Sequence, residues 1–171
     1  DPAGLEGTRR LLAGTKVSTH VADVRDRERM AALPAEIHAE HGAIHLLFNN
    51  AGVTINEPFE DATIERLEFV IGVNLWGVIY GCHYFLPYLK QAGGAHIVNT
   101  SSMAAFLGLP NQASCSATKA AVKSLSESLR VELAGSQIGV TSIHPGGIKT
   151  NILKAAARYG FARWPALVVL K

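Results

Sequence analysis

Residues Ile97 to Val122 read I-V-N-T-S-S-M-A-A-F-L-G-L-P-N-Q-A-S-C-S-A-T-K-A-A-V. The first four are suited to a buried strand, and a helix opens near Ser114 after a loop rich in turn residues. Ser102 falls at the carboxyl end of the strand. Cys115 and Lys119 are four apart on the helix, so both face one way. Ligands of open α/β sheets bind outside the carboxyl ends of the strands. A hydroxyl, a thiol and an ammonium can therefore converge on one small volume.

Working outward, the same alternation repeats. Asp1 to Leu12 has helical spacing, with Leu5, Leu11 and Leu12 as its apolar points. Lys16 to Val21 alternates as a strand and ends at Ala22-Asp23-Val24. Asp26 is suited to cap a helix running to about Glu40, with Pro34 inside it as a source of a kink or a late first turn. Ile44 to Phe48 is an apolar run expected to be a strand buried on both faces, opening into Asn49-Asn50-Ala51-Gly52. A short helix over Ala62 to Val70, with Ile64, Leu67 and Phe69 inward, leads into a long one ending near Leu89. Gly72, Gly77 and Gly81 in that region each cost about 1 kcal/mol in a helix, which implies a close backbone approach. His96 to Thr100 and Gly139 to His144 are further strands. The helix from Ser114 runs to about Leu133, with Val122, Leu125, Leu129 and Val131 on or near its buried face. Ile152 to Tyr159 has helical character, and Phe161 to Lys171 has no clear assignment. Strands alternating with helices predict one α/β domain over residues 1–171, a doubly wound, mostly parallel sheet covered on both faces.

Composition narrows the function. Hydrophobic residues at 48% against 18% charged place the chain among globular proteins, and 171 residues suffice to bury roughly 70% of the unfolded surface. A net charge of +2 without a basic run gives no footprint for nucleic acid. Two cysteines, Cys82 and Cys115, make no disulfide framework, so a reducing cytoplasm is expected. Asp1-Pro2-Ala3 shows no signal peptide, and a start on turn residues without Met suggests a piece of a longer chain. Phe69 to Leu89 is apolar enough to raise a membrane span, but Asn74, His83 and Pro87 favour a buried core helix. His38, His41 and His45 do not share a helical face and no carboxylate or Cys spacing supports them, so surface histidines are expected and no metal.

The pattern of a Ser, a residue thirteen further on and a Lys four beyond that resembles the short-chain dehydrogenase/reductase family, as does Asn-Asn-Ala-Gly after a buried strand. The resemblance covers nearly all of Leu5 to Ile152. It implies a Rossmann-like fold and reversible hydride transfer between NAD or NADP and an alcohol or carbonyl carbon. It implies that Ser102 holds the substrate oxygen, that Lys119 binds the nicotinamide ribose and sharpens the neighbouring acid, and that Asn74 holds a water in the proton relay. Asp23, Val24, Asn50, Ala51 and Gly52 would line the adenosine side, and Pro145, Gly146, Ile148 and Thr150 the nicotinamide carboxamide. A homodimer or homotetramer through helices Val70 to Leu89 and Ser114 to Leu133 is also implied.

Two departures stand out. Cys115 occupies the position where the family carries its acid, a tyrosine. From standard bond lengths its sulfur reaches roughly 3–4 Å less far than a phenolic oxygen, while proton transfer needs about 2.6–3.2 Å contact or one bridging water. A thiol is intrinsically more acidic than a phenol, so acidity is adequate and reach is not. Turnover is expected to be greatly reduced or absent. Second, no Gly-rich phosphate turn occurs before Asp23, so weak cofactor binding, bare parallel edges and a gap of about 15 Å between strands 16–21 and 44–48 are expected for this polypeptide. Apart from the oxidoreductase, a non-catalytic scaffold on the same fold and a thiol hydrolase using Cys115 with His144 remain alternatives. Ala105, Phe106, Leu107 and Leu109 suggest an apolar wall for substrate.

Overall fold

The computed structural model describes residues 2–12, 14–148 and 167–170. Thr150 and the expected helix over Ile152 to Tyr159 lie outside them. Helix α1 (Pro2–Leu11) leads to strand β1 (Val17–His20), α2 (Arg27–His41) and β2 (Leu46–Asn49). Then come α3 (Ile64–Ile71) and α4 (Gly77–Gln91), β3 (Ala95–Thr100), α5 (Ala113–Glu132), β4 (Ile138–Ile143) and β5 (Leu167–Leu170). The cap expected at Asp26 is present: its side chain accepts from Arg29 N at 2.9 Å, and Gly42 ends α2 with φ of 79°. The helix continues through Pro34, which lacks the N–H that would otherwise bond Met30.

Strands β2, β3 and β4 form a parallel sheet in that order, giving a Rossmann-like α/β arrangement. Leu47, Ile97 and Val140 stand in register across it, followed by Asn49, Asn99 and Ser142. Helices α4 and α5 lie on this face, because Asn49 reaches Cys82 on α4 and Asn99 reaches Ser126 on α5. Helix α2 adds Met30, Leu33 and Ile37 to the same core. The expectation that Ile44 to Phe48 is buried on both faces is therefore corrected. Leu46 is 49% and Phe48 39% exposed, since successive residues of a strand alternate and all three helices cover the Leu47 side.

Strand β1 does not join this sheet. It pairs antiparallel with β5, Val17 opposite Leu170 and His20 opposite Leu167. The edge of β1 that was expected to be bare is thus paired, and β5 lies against β2 as well.

Helix α3 runs directly into the longer α4, as expected, making one helical run from Ile64 to Gln91 through a π-helical turn over Gly72–Trp76. There Gly77 N bonds the Gly72 carbonyl, a five-residue step. The run is long and apolar enough to cross a membrane, but it packs on α2, β2 and β3, burying Val70, Phe85 and Leu89 completely. Close approach accounts for its glycines. A Cβ at Gly77 would lie 2.8 Å from Val24, and one at Gly72 3.1 Å from the Arg25 side chain. Two inward assignments are corrected by helix phase: Ile64 is 65% and Val131 76% exposed, while Val70 is fully buried; Leu11, an apolar point of α1, is also 88% exposed. His41 also departs from a surface position, being buried with Nε2 at 2.8 Å from Ser18 Oγ. Among the described residues no group of three His, Cys, Asp or Glu side chains could hold a metal.

Candidate active site

The carboxyl ends of β2 and β3 place the expected residues around one edge. Asn74 lies in the π-helical turn and is fully buried. Its Oδ1 accepts from Val53 N at 2.8 Å, and its Nδ2 donates to Val53 O at 2.9 Å and to Thr118 Oγ1 at 3.2 Å. Thr118 Oγ1 in turn donates to the Cys115 carbonyl at 2.9 Å. The amide thus ties the loop after β2 to the first turns of α5.

Lys119 is buried, and Nζ donates to the Thr100 carbonyl at 2.8 Å. One residue on, Ser101 Oγ donates to the Lys119 carbonyl at 2.8 Å. The end of β3 is therefore fastened to Lys119 at two points, and Ser102 follows directly. A Cβ at Gly52 would lie 3.5 Å from both Lys119 Nζ and Asn74 Oδ1. The ammonium and the amide flank one point over the Gly52 backbone. Burial lowers the Lys119 pKa, opposed by the charge of the nearby Cys115. Cys115 is also buried, and among the described residues its sulfur donates no hydrogen bond. His144 Nδ1 is instead 3.3 Å from the Ser102 carbonyl, and its ring lies against Phe106. No Cys115–His144 pair of the kind a thiol hydrolase needs occurs among the described hydrogen bonds.

Ser102 is half-buried and opens the 3-10 turn Met103–Ala105. Its Oγ accepts from Ala104 N at 3.1 Å and lies 3.5 Å from the Pro145 carbonyl, which also takes Met103 N at 3.0 Å. The Pro145 segment is thereby stitched to the serine loop. Gly146 and Ile148 are exposed beyond it, Ile148 N donating to Gly146 O at 2.9 Å.

The other expected residues gather at the β2 end. Val24, Met30, Phe48, Asn50, Ala51 and Val73 line one cleft. Asn50 Oδ1 accepts from Thr100 Oγ1 at 3.2 Å. Asp23 is paired with Arg25, whose guanidinium lies 2.6 Å from its carboxylate and 4.8 Å over the Phe69 ring. Thr118, Ser101 and the buried chain from Asn49 through Asn99 to Ser126 were not among the sequence candidates. Polar residues at Asn49 and Asn99, inside otherwise apolar strands, were the available signal.

The family model for short chain dehydrogenase matches residues 5–159. SadH of Mycobacterium tuberculosis is 37% identical over 160 residues, covering 91% of this chain and 58% of its own length. A short chain dehydrogenase/reductase from Burkholderia phymatum, crystallised with NAD, superposes with a TM-score of 0.86 at 34% identity, over 92% of this chain and 58% of that one. A gluconate 5-dehydrogenase from Burkholderia cenocepacia, in complex with NADP and tartrate, gives 0.75 at 27% identity, over 81% and 55%. The chain thus spans under two thirds of the length of these relatives. With the family model matched from α1 past the Pro145 segment, and with these structures superposing over most of the chain, the chain belongs to the short-chain dehydrogenase family.

Proposed function

We propose that the site carries hydride transfer between a nicotinamide dinucleotide, NAD or NADP, and a small alcohol or carbonyl compound, with turnover impaired by Cys115. The observation that supports it is the convergence of Lys119 Nζ and Asn74 Oδ1 over Gly52. The missing Cβ leaves a backbone cradle, and the cleft of Val24, Asn50 and Ala51 continues it, so the residues present fit such a cofactor. When bound, that cofactor supplies the hydride acceptor or donor.

In this proposal Val24, Asn50, Ala51 and Gly52, with Asp23 at their edge, hold the adenosine side. Pro145, Gly146 and Ile148 meet the nicotinamide side, with Thr150 beyond the described residues. Lys119 orients the ribose, and its ammonium, held on the Thr100 carbonyl, lowers the pKa of a neighbouring acid. Ser102 donates to the substrate oxygen from the Oγ that now lies loosely, 3.5 Å from Pro145 O. Asn74 keeps its side chain on Val53, so any water it positions is held by its π-helical backbone. Cys115 stands where the acid must be, but its sulfur ends short of the substrate oxygen.

Assembly through α4 and α5 is part of the proposal. It is supported by Trp76, 48% exposed and stacked on Tyr80, which continues to Tyr84 along α4.

Cys115→Tyr is the test. It should raise carbonyl-dependent oxidation of NAD(P)H at least 100-fold, the usual worth of a positioned acid. Equal rates in the two forms would refute the reach argument. Cys115 also favours a second reading, a scaffold that binds without chemistry. That reading gains if Cys115→Tyr binds cofactor and still transfers no hydride.

A further inference from the structure

We infer that Phe106 is the residue through which this site selects its substrate, and that His144 holds it in place. The inference rests on the hydride-transfer proposal and names a substrate class for it: an alcohol or ketone with an uncharged, apolar substituent. Phe106 is 54% exposed, yet its ring is not loose. The His144 imidazole lies 4.8 Å away, centroid to centroid, inclined at 55°. Lys123 Nζ sits 5.5 Å from the ring centroid, itself held by Glu127 at 2.7 Å. The backbone is pinned as well, with Phe106 N donating to Met103 O at 3.0 Å. An aromatic ring braced by two side chains and still half open presents a fixed apolar face.

That face continues the candidate site. His144 Nδ1–H donates to the Ser102 carbonyl at 3.3 Å, so one imidazole touches both the residue proposed to hold the substrate oxygen and Phe106. Met103, 44% exposed, extends the surface toward Gly146, where a Cβ would lie 3.7 Å from its Cγ. Leu107 and Leu109 are 58% and 40% exposed. Residues 103 to 113 contain no charged side chain. A carboxylate or phosphate on the substrate would meet no cation from this loop, and the ring-facing ammonium of Lys123 is already paired.

The test titrates unlabelled 2-alkanones, from 2-butanone to 2-octanone, into the protein by NMR, and measures their turnover in Cys115→Tyr. Affinity should rise about fourfold per added methylene, the worth of burying about 0.8 kcal/mol each. Phe106→Ser should flatten that slope and Phe106→Leu should largely keep it. The two roles of His144 separate on the Cys115→Tyr background. His144→Asn keeps a donor for Ser102 and loses the ring, so the slope in KM falls while kcat holds. His144→Phe keeps the ring and loses the donor, so kcat falls while the slope holds. A flat slope, an unaltered slope in Phe106→Ser, no ketone binding, or equal behaviour of the two His144 variants overturns the inference. Absence of hydride transfer with the binding slope intact overturns the hydride-transfer proposal and leaves the apolar seat standing.

Discussion

Cys82 and Lys119 are both buried ionisable groups, and each ties stability to pH in its own direction. Burial pushes the Cys82 thiol up from 9.0 to about 11, with hydrogen bonds to Asn99 and Asn49 opposing. The raised value means that the stability it contributes is present below pH 9 and is lost as pH rises toward 11. Iodoacetamide at pH 8 should therefore label Cys82 only after denaturation, as read by peptide mass spectrometry. Labelling in the native protein would contradict the buried placement. Lys119 runs the other way, because burial depresses its pKa below 10.5. Its contribution is present above pH 10.5 and is lost as pH falls through the depressed value. Lys119→Met should gain in Tm relative to the parent at pH 7, and the difference should shrink as pH approaches 10.5. A difference independent of pH would show that the ammonium is not desolvated.

The helical run over α3 and α4 is the element on which the site depends. Its π-helical turn aims Asn74 inward, where the amide satisfies both backbone groups of Val53. Replacing Asn74 by Ala orphans Val53 N and O together, at about 1–3 kcal/mol for each buried group left unpaired. Gly81 guards the same helix lower down. A Cβ there would overlap the Asn49 amide, which is held by Asn99 at 2.8 Å. Asn49 cannot turn away without breaking the chain that ends at Ser126. Gly81→Ala should cost about 1–3 kcal/mol, measured by urea unfolding. A neutral Gly81→Ala would show that β2 and α4 can separate freely.

At the scale of the molecule, the covered and open faces of the sheet differ in what they hold. The helix side carries the full core and the buried amide chain, while Leu46 and Phe48 remain partly in water on the other. Residues 1–171 contain no G-x-x-x-G-x-G, the kind of turn that holds a pyrophosphate on a helix N-terminus. Calorimetry should find NAD and NADP binding to the 171-residue polypeptide weaker than about 1 mM, an affinity worth only about 4 kcal/mol. Micromolar binding would mean that the Gly52 cradle and the adenosine cleft suffice without that turn.

Much of this was legible residue by residue. Alternation marked β1, Asp26 and Gly42 bounded α2, and the spacing of Ser102, Cys115 and Lys119 carried the resemblance on which the candidate site rests. Those signals are local, set by backbone capping, side-chain period and covalent length, and a sequence carries them directly. Which face of β2 would be covered was not local. The apolar run Ile44 to Phe48 reads the same whether helices lie on one side or two, and only the placement of α2, α4 and α5 left Leu46 and Phe48 open. The π-helical turn at Asn74 was equally hidden. One extra residue in a helix becomes worthwhile only when Val53 and Thr118, distant in sequence, stand ready to receive its amide.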